Sequence, residues 1–199
     1  MKKITSMILE KIKAIPGLNL LNPVMNFLNN GDVFKQPISF IYLLFALASA
    51  LSPFYLLYEI IDSGFFRHAN AAAFFGFFFI FIVLLITAIF SFRYWLERSS
   101  NIQDISDSKS EYVGTPVLTS LIQHIGEWAG VTLATAGTLI VIIGTFTAPE
   151  ILYYLDLPSG ALVGAILSCI ITGFVIILVT RVLAELIRAL TSIANNTQK

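Results

Sequence analysis

Charged residues are missing from four long stretches of the chain, 36–58, 68–92, 128–149 and 157–180. These run for 23, 25, 22 and 24 residues without Asp, Glu, Lys or Arg. An α-helix rises about 1.5 Å per residue, so about 20 apolar residues cross the roughly 30 Å of a bilayer's hydrocarbon core. The pattern predicts four transmembrane helices, over about 38–61, 70–92, 126–147 and 160–181. Within lipid the backbone must satisfy its own hydrogen bonds, which a helix does inside one segment. A membrane β-barrel would alternate apolar and polar residues in segments of about ten, and these runs do not. The expected fold class is all-α, a polytopic membrane protein with a four-transmembrane-helix bundle.

Composition points the same way. Of 199 residues, 57% are apolar and 12% charged, against about 25% charged in an average soluble domain. The net charge is zero, but its distribution is lopsided. Lys2, Lys3, Lys11, Lys13 and Lys35 precede the first span, Arg93, Arg98 and Lys109 separate the second from the third, and Arg181, Arg188 and Lys199 follow the fourth. The opposite side keeps only Arg67. The positive-inside rule then places both termini and the 93–125 connection in the cytoplasm. Helical spans without a cleavable signal point to a bacterial inner membrane.

The opening MKKITSMILEKIKAI carries Glu10, Lys11 and Lys13 inside the run that a signal peptide would keep apolar. On a helix, Ile4, Ile8, Ile12 and Ile15 line one stripe, which predicts an amphipathic helix lying on the inner membrane surface. A basic tail that only sets topology is the alternative. No basic groove with interleaved aromatics occurs, so nucleic acid is not an expected partner.

Several landmarks recur in order. NPVMNFLNNGDVF begins at Asn22 and TPVLTSLIQHIGEW at Thr115; SPFYLLYEIID ends at Asp62 and APEILYYLD at Asp156; Arg93 precedes Glu97 as Arg181 precedes Glu185. The offsets are 93, 94 and 88 residues, a spacing that predicts an internal duplication of a two-span hairpin. Two copies with an even number of spans share one orientation, so a parallel repeat is expected. Arg before Glu is the less favourable order within one helix. Cross-pairing of Arg93 with Glu185 and Arg181 with Glu97 is therefore one expectation, and arginines that simply reach the headgroups are the other.

Small residues mark faces for packing. Gly126, Gly130, Ala134 and Thr138 recur along the third span, and Gly160, Gly164, Ser168 and Thr172 along the fourth, with Ala161, Ala165, Cys169 and Gly173 beside them. Close approach through small side chains is how helices associate in lipid. The third and fourth spans should pack together and leave one small face for a second copy of the chain, with purely intramolecular packing as the alternative. Cys169, the single cysteine, reads as a small packing residue. Phe at 74, 75, 77, 78, 79 and 81 surrounds the second span, so part of that bulk must face lipid. Past Arg181, Val182, Leu183, Leu186, Ile187, Leu190 and Ile193 continue one apolar stripe, expected to meet the 93–125 segment or a cytoplasmic protein partner.

Candidate chemistry is sparse. His124 and Glu127 stand three apart on a helix, but two residues make no metal site, and a helix-end anchor is the simpler reading. No nucleophile, phosphate-binding or metalloprotease motif occurs, so no catalytic residue and no cofactor is expected. Glu59 and Glu150 lie near the outer ends of their spans, either as ordinary solvated acids or as an acidic rim that favours cations. The chain thus divides into a basic N-terminal region (1–35), a first hairpin (36–98), a connection (99–117), a second hairpin (118–181) and an amphipathic tail (182–199). The spans hold no charge near their centres. A non-enzymatic scaffold or accessory subunit that self-associates is accordingly expected ahead of a homo-oligomeric cation pore, and a lipid-modifying enzyme comes last.

Overall fold

The computed structural model describes residues 32–102, 114–158 and 161–197. The expected N-terminal surface helix, most of the 99–117 connection and Gly160 lie outside them. Among the described residues the fold is all-α. Helix α1 spans Asp32–Asp62, α2 Phe65–His68, α3 Ala71–Asn101 and α4 Gly114–Thr132. A π-helical turn, Leu133–Gly137, joins α4 to α5 (Thr138–Thr147), followed by α6 (Pro149–Tyr154) and α7 (Leu162–Thr197). Four segments are long and apolar enough to cross a membrane: Lys35–Asp62, Ala71–Asn101, Thr115–Thr147 and Leu162–Ala194. The chain is a multi-pass membrane protein. Each expected span is present, and three of the helices continue well past it. We call inner the end where α1 and α4 begin and α3 and α7 finish.

Local chemistry sets the breaks. Gly64, with φ 74°, takes the left-handed conformation at the turn after α1. Asn70 caps α3 by accepting the Ala73 N–H at 2.8 Å. Pro149 opens α6 at a position where a helix needs no N–H. Asp156 closes α6 with φ 50°, while the Leu157 N–H donates to the Leu152 carbonyl at 2.9 Å. That is a Schellman-type ending with aspartate where glycine is usual. Pro53 lies inside α1, buried, and cannot donate to the Ser49 carbonyl. The Ser52 hydroxyl donates there at 2.9 Å instead, so the freed carbonyl has a partner within the membrane.

Helix α1 packs along α3, and α4 along α7, while α3 also meets α5. Helices α3 and α7 scarcely touch. The core falls into two clusters. The outer one joins Leu56, Ile60, Phe77, Ile80, Ile140, Val141, Ile151, Leu152 and Cys169. The inner one joins Tyr42, Ala46, Trp95, Ile102 and Val117. Of the phenylalanines on α3, Phe77 turns inward against Phe65, Phe66 and Phe81, whereas Phe74, Phe75, Phe78 and Phe79 are exposed. The phenylalanine bulk of this helix is thus divided between packing and exposure.

Candidate functional site

Along the α4–α7 seam the two helices approach through glycine. A Cβ on Gly130 would run into the Gly173 carbonyl and Ile177, and one on Gly126 into Thr180. A Cβ on Gly173 would sit 2.5 Å from the Gly130 carbonyl oxygen and 2.9 Å from the Ala134 Cβ. Backbone therefore meets backbone, as small residues permit in lipid. Thr138 is half-buried, its hydroxyl donating to the Ala134 carbonyl at 2.7 Å. On α7 the packed stripe is Ala165, Cys169 and Gly173, all buried, whereas Gly164, Ser168 and Thr172 are exposed. A Cβ on Gly164 would meet nothing within 4 Å. The two adjacent small stripes have thus parted company, one facing α4 and the other facing out.

That outward stripe is long. Gly164, Ser168, Ile171, Val175, Val179, Val182, Leu186, Leu190 and Ile193 are all exposed. Their spacing of three and four residues keeps them on one side of a helix with 3.6 residues per turn. The apolar tail stripe expected to meet the 93–125 segment belongs mostly to this free face. What touches α4 is the other side of the tail, where Ala184 is buried and Arg188 donates to the Gln123 Oε1 at 2.9 Å.

The second half of α3, the C-terminal end of α4 with the π-helical turn, and the middle of α7 surround a groove of about 730 Å³. Its walls carry Arg93 and Glu97 from α3 and Arg181 from α7, with Glu127 and Trp128 from α4 between them. The four-residue spacing puts Arg93 and Glu97 on one face of α3. Arg181 approaches the Glu127 Oε1 from both Nε, at 3.1 Å, and Nη2, at 2.9 Å. The Gln123 amide donates to the same oxygen at 2.9 Å. This is the ion pair found among the described residues. Arg181 does not take Glu97 as partner, nor does Arg93 take Glu185, in contrast to the expected cross-pairing. The reason is spatial: α4 lies beside α7, whereas α3 stands across the groove. Glu185 is exposed and outside the groove.

Behind the groove lies a second cavity of about 440 Å³, bounded by α1, α3 and α4. The two share Thr87, Ser91, Trp128 and Thr132, and the Trp128 indole N–H donates to the Ser91 hydroxyl at 2.8 Å where they adjoin. Ser49 and Ser52 add hydroxyls to the second cavity, and Trp95 lines it too. The Trp95 indole N–H is buried and has no acceptor. At the inner end His124 shares a 2.8 Å hydrogen bond from its Nδ1 with the Tyr42 hydroxyl, and Arg98 lies 5.1 Å from the centre of the Tyr94 ring. His124 is thus tied to α1, while Glu127 is tied to Arg181. Among the described residues no three His, Cys, Asp or Glu side chains come together as a metal site.

At the outer end Glu59 accepts a 2.7 Å hydrogen bond from the Tyr55 hydroxyl, and Glu150 stands exposed in the first turn of α6. Glu127 and Gln123 are the partners that pattern reading did not connect to Arg181 and Arg188. Their i,i+4 spacing was the available signal, but only the α4–α7 contact says what faces them. No protein-family model, no curated protein and no solved structure matches this chain.

Proposed function

We propose that this membrane protein is a non-enzymatic scaffold or accessory subunit that works through helix–helix association, with α7 as the seam between copies. The carrying observation is the exposed stripe from Gly164 to Ile193. With 36 residues, α7 is about 54 Å long, well beyond a bilayer core of about 30 Å. Its outer part offers Gly164 and Ser168, where a second helix can approach closely. Its inner part offers Val182, Leu186, Leu190 and Ile193, where apolar side chains outside the hydrocarbon gain from being covered. A parallel pairing about a twofold axis along the membrane normal aligns small with small and large with large, which makes the stripe self-complementary. A cytoplasmic protein partner on the inner part of the same stripe is the natural extension.

Cysteine crosslinking in membranes tests this. In a Cys169→Ala background, Ser168→Cys and Leu186→Cys should give disulfide dimers on mild oxidation, and Phe90→Cys on α3 should not. Monomer only from both α7 variants would remove the proposal. A second reading, a cation pore with Glu59 and Glu150 at its mouth, draws on the cavity between α1, α3 and α4, into whose largely apolar wall Ser49, Ser52 and Ser91 bring hydroxyls. Ion flux in sealed liposomes separates the two. Flux that falls in Glu59→Gln and Glu150→Gln favours the pore, and no flux from folded, crosslinkable protein favours the scaffold.

A further inference from the structure

We infer that the groove between α3 and α7 is a binding site for one phospholipid of the leaflet at the inner end, and that it selects a headgroup carrying both a phosphate and a primary ammonium. The groove opens sideways because α3 and α7 scarcely touch, with α4 as its floor. Its ligands therefore arrive from the bilayer. The volume of about 730 Å³ lies within the roughly 300–1,000 Å³ of small-molecule sites. The lining changes along its length. Arg93, Glu97, Glu127 and Arg181 cluster toward the inner end of the helices, and Phe90, Val131 and Ile177 follow toward the outer end. From Glu127 to Thr135 the floor runs about 12 Å at 1.5 Å per residue, enough for a headgroup followed by the first part of an acyl chain.

Charge decides which headgroup fits. Two guanidinium groups and two carboxylates give the mouth no net charge, so it does not favour an anionic lipid over a zwitterionic one. Arg181 is already held by Glu127 at 2.9 Å, which leaves Arg93 and Glu97 as the wall that faces a ligand. A guanidinium matches a phosphate, and a carboxylate matches an ammonium that can donate N–H bonds. A quaternary trimethylammonium has no N–H to donate and loses that contact. The preferred occupant is thus a phosphoethanolamine-type glycerophospholipid, with its phosphate at Arg93 and its ammonium at Glu97. This stands apart from the outward stripe of α7 and needs no second copy of the chain.

The molecule carries its own reporter. Its two tryptophans are Trp128, in the groove, and Trp95, in the adjoining cavity. Bromine on an acyl chain held in the groove quenches their fluorescence. The full chain is placed in phosphatidylcholine vesicles containing rising fractions of dibrominated phosphatidylethanolamine, phosphatidylcholine or phosphatidylglycerol. The expected result is saturable quenching by the ethanolamine lipid at about a tenfold lower mole fraction than by the other two. Arg93→Gln and Glu97→Gln should each abolish that preference, Arg93→Lys should keep part of it, and Glu185→Gln, outside the groove, should keep all of it. Helicity by circular dichroism confirms that each variant is folded, and Glu97→Gln decides if Arg93→Gln is not. Quenching in simple proportion to bromolipid content for all three headgroups would overturn the site. A preference for the glycerol lipid would overturn its zwitterionic selectivity.

Discussion

Replacing Gly173 by alanine asks whether α4 and α7 are held by backbone approach. The new Cβ would lie 2.5 Å from the Gly130 carbonyl oxygen, 2.9 Å from the Ala134 Cβ and 3.1 Å from the Ala134 nitrogen. Two of these are backbone atoms, so no change of rotamer relieves them. Non-bonded carbons settle at about 3.5–4.0 Å, and the helices must separate by about 1 Å. Separation also loosens the neighbouring contacts of Gly126 with Thr180 and of Gly130 with Ile177. Overpacking costs about 1–3 kcal/mol, and a clash with main chain belongs at the upper end. Alanine returns about 1 kcal/mol of helix propensity, which leaves a net loss of about 2 kcal/mol. Gly164→Ala is the internal control, because nothing lies within 4 Å of its Cβ; it should gain up to about 1 kcal/mol. Equilibrium unfolding in mixed micelles, followed by circular dichroism at protein concentrations that keep the monomer, measures both. Equal stability for the two variants, or a stabilised Gly173→Ala, would refute the backbone seam.

Three further substitutions probe other contacts. Asp156→Gly relieves a left-handed residue at the end of α6 and should stabilise by about 0.5–1 kcal/mol in the same unfolding assay. Ser91→Ala removes the acceptor of the Trp128 indole at 2.8 Å; it should cost about 1–2 kcal/mol and shift the tryptophan emission, since a half-buried donor is left unpaired. Glu127→Gln breaks the pair with Arg181, whose side chain is 59% exposed. Because the Glu127 side chain is only 18% exposed, its loss should cost about 1 kcal/mol at low salt and shrink without vanishing at high salt, as measured by unfolding across an ionic-strength series.

The π-helical turn shows why periodicity alone misplaces a face. Gly126, Gly130 and Ala134 were legible as a small stripe, and they do meet α7. A stripe drawn onward at four-residue spacing assumes an uninterrupted α-helix. The turn at Leu133–Gly137 widens the spiral there, so Ala136, Gly137, Ile140, Val141 and Gly144 become the buried set beyond it. Thr135 and Thr138 donate to the carbonyls of Val131 and Ala134 at 2.7 Å each, the back-bonding that threonines also make elsewhere in these helices. No residue type in LATAG announces this, because threonine and glycine also sit in ordinary membrane helices.

What the sequence determined by itself was the number and placing of the membrane-crossing segments. Their charge-free lengths follow from the thickness of hydrocarbon and the rise of a helix, which are properties of one segment at a time. It also marked α7 as small-faced on two neighbouring stripes, but could not say which would turn inward. That was decided by the tertiary structure, where Gly173 meets Gly130 and leaves Gly164 free. Arg181 presents the same limit. Its charge was visible, and so were Glu97 and Glu185 as possible partners, but nothing tied it to Glu127, because separation along the chain says nothing about separation across a bundle. Only the placing of α4 beside α7, and of α3 across a groove, selects Glu127. Charge-free length is local and additive along the chain, whereas a partner or a groove exists only between segments, and so belongs to the packing alone.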